Sequence, residues 1–290
     1  MSAVTLRACV LIACSLLGTA PAPAGAGQAY PLWLARGSRL LVQARVQGQA
    51  VEALLDSAAE ATLVDRSFAR RLKLLGETTV SAEGSGRSSF DAQLVPGVRL
   101  QVFGVALSNQ TVAIADLADV GQRLLGRRLD VILGREIFDA ARLRIDIEAR
   151  TVTVLPASAQ PHGVRLELVA EHAVETLPVL IEGTGPVRAT FDLGNGSDVL
   201  VGSQLAQRLH LLTDGRSVLA RRGGGLGGET ERPVIRLRSL QLAGRRFRDV
   251  PAAVDARDSA SDLNIGVSIL RHFVITTDFA QRALWLQPRR

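Results

Sequence analysis

The chain carries one passage twice. In LLDSAAEATLVDRSFARRL, Asp56 follows the apolar pair Leu54-Leu55; in ATFDLGNGSDVLVGSQLAQRL, Asp192 follows Thr190-Phe191. Each copy is followed by a short element ending in glycine. These are Ile132-Leu133-Gly134, 78 residues beyond Asp56, and Asn264-Ile265-Gly266, 74 beyond Asp192, both read as apolar-apolar-Gly. The closing segments, ILGREIFDAARLRIDIEARTVTVLP and NIGVSILRHFVITTDFAQRALWLQP, also correspond; with Gly134 laid on Gly266, Asp146 falls on Asp278. A duplicated half can only fold as two similar lobes. If each lobe contributes one carboxylate, a paired-aspartate site falls on the pseudo-twofold axis.

The local pattern within each half is strand, turn, strand, aspartate. Leu40 to Val46 alternates in polarity, turns at Gly48, and Val51 to Leu55 runs into Asp56; Leu177 to Gly183 turns at Gly185-Pro186 and runs into Asp192. Apolar residues at three- and four-residue intervals predict helices over Arg66 to Leu74 and Ser203 to Leu211. Each half then enters a Gly/Ser-rich stretch, AEGSGRSS (82–89) or RRGGGLGGE (221–229), where glycine permits tight turns. These stretches are expected to be mobile hairpin tips, with Gly84, Ser85 and Gly86 in one and Gly223, Gly224 and Gly225 in the other. Residues 38–156 are expected to form one lobe and 164–290 the second, joined by the linker PASAQPHG. Strands dominate, with two short helices per half, which argues for a mainly β architecture rather than a βαβ one. Asp65 and Asp198 are expected to cap helices or face solvent, and Asp146 and Asp278 to serve structural roles in hairpins.

Two aspartates facing each other across a dyad cannot both ionise easily, so the pair holds one proton between them. The ionised member can activate a water while the protonated one polarises a carbonyl and donates to the leaving nitrogen. Such chemistry hydrolyses a peptide bond with no metal and no cofactor. Either aspartate alone reads as an ordinary turn residue; matched positions in a repeat carry the active-site reading. The histidines at 162, 172, 210 and 272 lack metal-ligand spacing, and neither HExxH nor GxSxG occurs.

Asp56-Ser57-Ala58-Ala59 resembles the Asp-Thr/Ser-Gly-Ala signature of retropepsin-like aspartic proteases, and Asp192-Leu193-Gly194-Asn195-Gly196 resembles its partner in bacterial two-lobed members. The resemblance covers roughly residues 38 to 290. It implies two retropepsin/pepsin-like β-barrel lobes with a cleft between them, Asp56 and Asp192 as the catalytic pair, and Ser57, Ala58, Leu193 and Gly194 as supports of the active-site loops. It further implies that the glycine elements pack behind those loops and that the tips cover an extended peptide substrate. In the family the hydroxyl after each aspartate braces the two loops. Ser57 keeps one and Leu193 does not, so the brace is expected to be half formed, and restoring a hydroxyl as Leu193→Thr to strengthen it. Ala58 replaces a glycine and requires negative φ. Tyr30 is the only tyrosine, so neither tip carries one.

Composition narrows the remaining classes. The formal charge of +6 rests almost wholly on scattered arginines, Lys73 being the sole lysine, and no aromatic-interleaved basic stripe accompanies them. Nucleic acid is therefore not an expected partner. Arg7, the apolar run Ala8 to Leu17 and the small-residue tail GTAPAPAGAGQA read as a signal peptide over residues 1–26, too short to span a bilayer. LIAC, ending at Cys14, offers a second reading as a lipid-anchor site. With the leader removed, Cys9 and Cys14 are lost and no thiol remains. The expectation is thus an exported, periplasmic or secreted, monomeric aspartic-type endopeptidase. The alternatives are a pseudo-peptidase acting as a peptide-binding module in the cell envelope and, third, an oligomeric envelope component.

Overall fold

A computed structural model describes residues 27–171, 173–257 and 261–289. The expected leader, with Cys9 and Cys14, lies outside the described residues, as does His172. The chain folds into three sheets, and two of them match strand for strand. In the first lobe the order is Trp33–Ala35, Arg39–Val46, Gln49–Leu55, Val131–Leu133, Leu63–Asp65, Val105–Ala115, Phe90–Val102, Thr78–Ala82. In the second it is Val169–Glu171, Val174–Ile181, Val187–Phe191, Leu263–Ile265, Val199–Gly202, Arg245–Asp255, Thr230–Leu242, Leu219–Gly223. Each sheet closes on itself through one further pairing, Val46 opposite Leu100 in the first and Ile181 opposite Leu240 in the second. Closure curls each sheet into a barrel-like unit and leaves only short terminal strands, such as Trp33–Ala35 and Thr78–Ala82, at its edges. The mainly β, two-lobed architecture predicted from the repeat is therefore present.

One local device sets the functional geometry. Gln49–Leu55, which leads into Asp56, pairs in parallel with Val131–Leu133, and that same short strand pairs antiparallel with Leu63–Asp65 beyond the loop. Val187–Phe191, Leu263–Ile265 and Val199–Gly202 repeat the arrangement around Asp192. The three-residue strand from far along the chain thus splits the strand entering each aspartate loop from the strand leaving it.

A six-stranded sheet joins the lobes: Ala29–Pro31, Thr151–Leu155, Arg142–Asp146, Phe273–Asp278, Ala283–Pro288, Val164–Glu167. Its centre is the antiparallel contact of the two closing hairpins, with Ile145 opposite Ile275. Asp146 and Asp278 do equivalent work there, accepting from Ala149 N at 2.9 Å and Gln281 N at 3.0 Å. They also carry ion pairs: Arg142 reaches across to Asp278 at 2.7 Å, and Arg289 pairs with Asp146. One continuous apolar core runs through both lobes, including Leu55, Leu133, Phe191, Leu193, Ile265, Ile145 and Ile275. A smaller cluster in the first lobe gathers Leu41, Leu54, Ile132 and Leu117.

The helices depart from expectation in two ways. Those predicted over 66–74 and 203–211 end early, as Arg66–Arg71 and Ser203–Arg208. Lys73 and His210 adopt left-handed backbone at φ 56° and 51°, which turns the chain so that Leu74 N and Leu211 N bond back to Ala69 O and Ala206 O. Besides Glu136–Ala140, matched by Val267–Leu270 in the second half, the first half has a third helix, Ala118–Leu125, beyond the two expected. Its N-cap residue Leu117 and its apolar positions Val120 and Leu125 are buried, and Gly126 ends it in left-handed conformation at φ 69°.

Side chains of Arg142 and Asp278 are both about nine-tenths buried. Arg142→Leu leaves Asp278 charged and deprived of that partner, and should lower unfolding free energy by about 3 kcal/mol, read from urea unfolding at neutral pH.

Candidate active site

The two aspartate loops are built by matching backbone bonds. Asp56 N donates to Leu133 O at 3.0 Å and Asp192 N to Ile265 O at 3.1 Å. Three residues on, Ala59 O accepts from Arg135 N at 3.0 Å and Asn195 O from Val267 N at 2.8 Å. Gly134 and Gly266 sit behind these loops, where a side chain has no space. A Cβ on Gly134 would fall 2.6 Å from the Ala61 carbonyl carbon, and one on Gly266 2.8 Å from Asn195 Cβ. The carboxylates take local donors: Ala58 N to Asp56 Oδ1 at 2.9 Å, and Asn195 N to Asp192 Oδ1 at 2.9 Å.

Ser57 joins the loops. Its hydroxyl, 2% exposed, donates to Phe191 O at 2.8 Å and accepts from Leu193 N at 2.9 Å. One side chain therefore ties the backbone on both sides of Asp192 to the Asp56 loop. The loops meet so closely that a Cβ on Gly194 would intrude on the Asp56 carboxylate, 2.7 Å from its Oδ1. Glycine is obligatory at 194 for that reason. Ala58 is compatible with its place, since its φ is not positive. Leu193, by contrast, is wholly buried in the shared core. It is an apolar packing residue rather than a brace missing its hydroxyl, so the expectation for Leu193→Thr reverses.

The carboxyls are titrationally unlike free aspartates. Burial, then the charge of Asp192, pushes Asp56 up to about 7, against the pull of the Ala58 and Ala59 amides and of Arg39. Burial also raises Asp192, opposed by Asn264, by the Asn195 amide and by Arg39. Two of these groups were not anticipated from the sequence. Asn264, placed in an apolar-apolar-Gly pattern, is polar and points inward: its Nδ2 donates to Asp192 Oδ2 at 2.6 Å, while its Oδ1 accepts from Asn195 Nδ2 at 2.8 Å. The departure from the Ile132 of the first copy was the available signal. Arg39 is 6% exposed; its Nη1 donates to Gly37 O at 2.8 Å, its Nη2 donates to Ser197 Oγ at 3.4 Å, and its Nε has no hydrogen-bond partner among the described residues. Burial lowers its pKa while Asp192 and Asp56 work to raise it. Nothing in the alternation of Arg39–Val46 distinguishes it from a surface arginine.

Other expected roles sort as follows. Asp65 caps Arg66–Arg71, accepting from Ser67 N at 2.9 Å. Asp198 pairs with Arg221 instead of capping Ser203–Arg208, whose N-cap is Gly202. Gly84, Ser85 and Gly86, and Gly223 with Gly224 and Gly225, lie at or within the tips joining Thr78–Ala82 to Phe90–Val102 and Leu219–Gly223 to Thr230–Leu242.

This double frame has a family. A model described as an aspartyl protease matches the chain twice, over residues 42–137 and 177–269, one match per lobe. The chain belongs to the retropepsin-like aspartyl proteases. No match was found among curated proteins. Among the described residues no helix is long and apolar enough to cross a membrane.

Two outcomes follow from the geometry. Ser57→Ala orphans two buried backbone groups and should cost about 2–4 kcal/mol in urea unfolding, and Leu193→Thr about 2 kcal/mol through lost apolar volume. For pH, a raised carboxyl means the folded state binds more protons than the unfolded one. Stability contributed by Asp56 is thus greatest at acid pH and falls as pH climbs from its unfolded value of 3.8 towards about 7. Asp56→Asn should therefore stabilise the protein at pH 8, by on the order of 1–3 kcal/mol, with the gain vanishing near pH 4. Paired thermal melts across that range measure it.

Proposed function

We propose that the protein is an aspartic-type endopeptidase in which Asp56 and Asp192 share one proton and activate a water against a peptide carbonyl. The observation that carries the reading is the joining of the two loops through Ser57, which sets Asp56 against Gly194 while both carboxyls stand above their ordinary range. The asymmetry of the pair suggests a division of labour. A carboxylate only accepts, and Asn264 Nδ2 supplies Asp192 with a donor from a relay fixed by Asn195. The shared proton then rests on Asp56, which polarises the scissile carbonyl, and Asp192 takes the proton from water. Departure of the amine reverses the roles. The apparent pKa values belong to the pair.

An extended polypeptide is the substrate class, its backbone pairing with the tips as an added strand. The protein acts as a monomer, since one chain supplies both aspartates, and outside the cytoplasm after loss of residues 1–26. A peptide-binding module without turnover is the second reading, favoured by the unequal loops, in which Leu193 packs into the core opposite the hydroxyl of Ser57.

Incubation of the purified protein with an unstructured polypeptide across pH 3–8 decides between them. We expect cleavage that Asp56→Asn and Asp192→Asn each abolish; inertness of the wild-type protein at every pH sinks the peptidase reading. Asn264→Leu removes a donor to the Asp192 carboxylate, so the acidic limb of kcat/KM should move to higher pH. An unmoved limb would refute the role given to Asn264.

A further inference from the structure

The glycine-rich tips are bonded to each other across the lobe boundary. Gly86 N donates to Leu226 O at 2.7 Å and Ser88 N to Gly227 O at 3.0 Å. The seam is too tight for side chains: a Cβ on Gly84 would lie 2.6 Å from Leu226 Cβ, and one on Gly86 2.5 Å from Gly228 N. Leu226 itself leaves its own lobe and packs against the smaller apolar cluster of the first, alongside Ala59, Phe90 and Leu124.

Each tip is also gripped by arginine from the opposite lobe. Arg123, on the helix Ala118–Leu125, donates to Gly224 O at 2.8 Å and Gly225 O at 2.9 Å. In the other direction Arg232 donates to Ser85 O at 2.5 Å, and Arg257 donates to Gly84 O. An acidic neighbour aims each guanidinium. Asp119 holds Arg123 at 2.7 Å, and Asp255 holds Arg257 at 2.6 Å and Arg232 at 3.2 Å. The repeat does not generate this symmetry, because Arg123 sits on a helix while Arg232 lies on a strand and Arg257 just beyond one. The two lobes reach the same grip with different elements.

Charge-assisted bonds from arginine are stronger than the neutral amide–carbonyl bonds of the seam. Release of the tips would also withdraw Leu226 from the first lobe's smaller apolar cluster, so the arginine bonds and this contact together set where the tips rest. We infer that a reciprocal arginine latch holds the cleft shut at rest, and that a peptide enters only when Arg123, Arg232 and Arg257 let go of the opposite tip. The latch stands on geometry alone; its consequence for substrate entry rests on the peptidase reading.

Hydrogen exchange tests the latch without reference to activity. In an Arg123→Met/Arg257→Met variant the amides of Gly86 and Ser88 should exchange about tenfold faster or more, while those of Ile145 and Ile275 in the joining sheet keep wild-type rates. Unchanged exchange at Gly86 and Ser88 overturns the proposal. Should that variant fail to fold, a staple keeps the question open to test. A Cβ on Gly225 would lie 3.8 Å from Ser85 Cβ, a separation about equal to that of a relaxed disulfide. Ser85→Cys/Gly225→Cys, with Cys9 and Cys14 changed to Ser, should lose uptake of a fluorescent unstructured polypeptide when oxidised and regain it with reductant. Equal uptake by the oxidised and reduced forms overturns the latch. If the unaltered protein neither binds nor cleaves that polypeptide, the functional reading fails while exchange still decides the latch.

Discussion

A single buried hydroxyl stands between the two halves at the point where they must agree. Ser57 Oγ satisfies Phe191 O and Leu193 N together, and by doing so fixes the backbone on either side of Asp192 relative to Asp56. Two backbone groups with no access to water need partners, and only a group that is both donor and acceptor can serve them in one position. Everything nearer the chemistry depends on that registration: the close approach of Gly194 to the Asp56 carboxylate, the desolvation of both acids, and the reach of the Asp192 charge to Asp56. The matching position in the other half has given up its hydroxyl, and Leu193 strengthens the shared core instead.

Divergence of the two copies has gone further than that exchange. Asp192 has Asn264 at its Oδ2, whereas the first copy carries Ile132 at the corresponding strand position. Arg39 adds a cation from the first lobe against the loop of the second, packed on Gly196 and, among the described residues, short of a hydrogen-bond partner at Nε. A buried guanidinium is costly without compensating negative charge, and the dyad is where such charge resides. The electrostatic character of the site thus owes as much to residues outside the repeated motif as to the motif.

Much of this was legible in the sequence for a specific reason. The duplicated aspartate passages and closing segments have a fixed order, and order over that length admits few topologies. The alternation of Leu40 to Val46 gave the hairpin, whereas the packing role of Leu193 in the shared core was hidden behind its place in the motif. What escaped notice involves contacts made in three dimensions rather than along the chain. Arg39 follows the alternation of its strand as any surface residue would, and its burial comes from the other lobe. Asn264 was absorbed into a pattern whose first position it breaks. The helix Ala118–Leu125 had its apolar spacing and terminal Gly126, but no counterpart in the second half called attention to it. The helices over 66–74 and 203–211 lost their last turn because Lys73 and His210 adopt left-handed backbone, which side-chain periodicity does not encode.

The sheet that joins the lobes has a consequence for how the chain reaches its folded state. Its central contact unites Arg142–Asp146 with Phe273–Asp278, segments a whole lobe apart in sequence, and so cannot form until the second lobe has been made. Loop-closure entropy makes such pairings late and slow. Until then the first lobe presents the strand Arg142–Asp146, with its own Leu143 and Ile145, as an edge unpaired on that side and open to the same strand of another copy. A newly made half is therefore its own nearest competitor for that edge, and the brevity of the linker between the halves helps the correct partner arrive first.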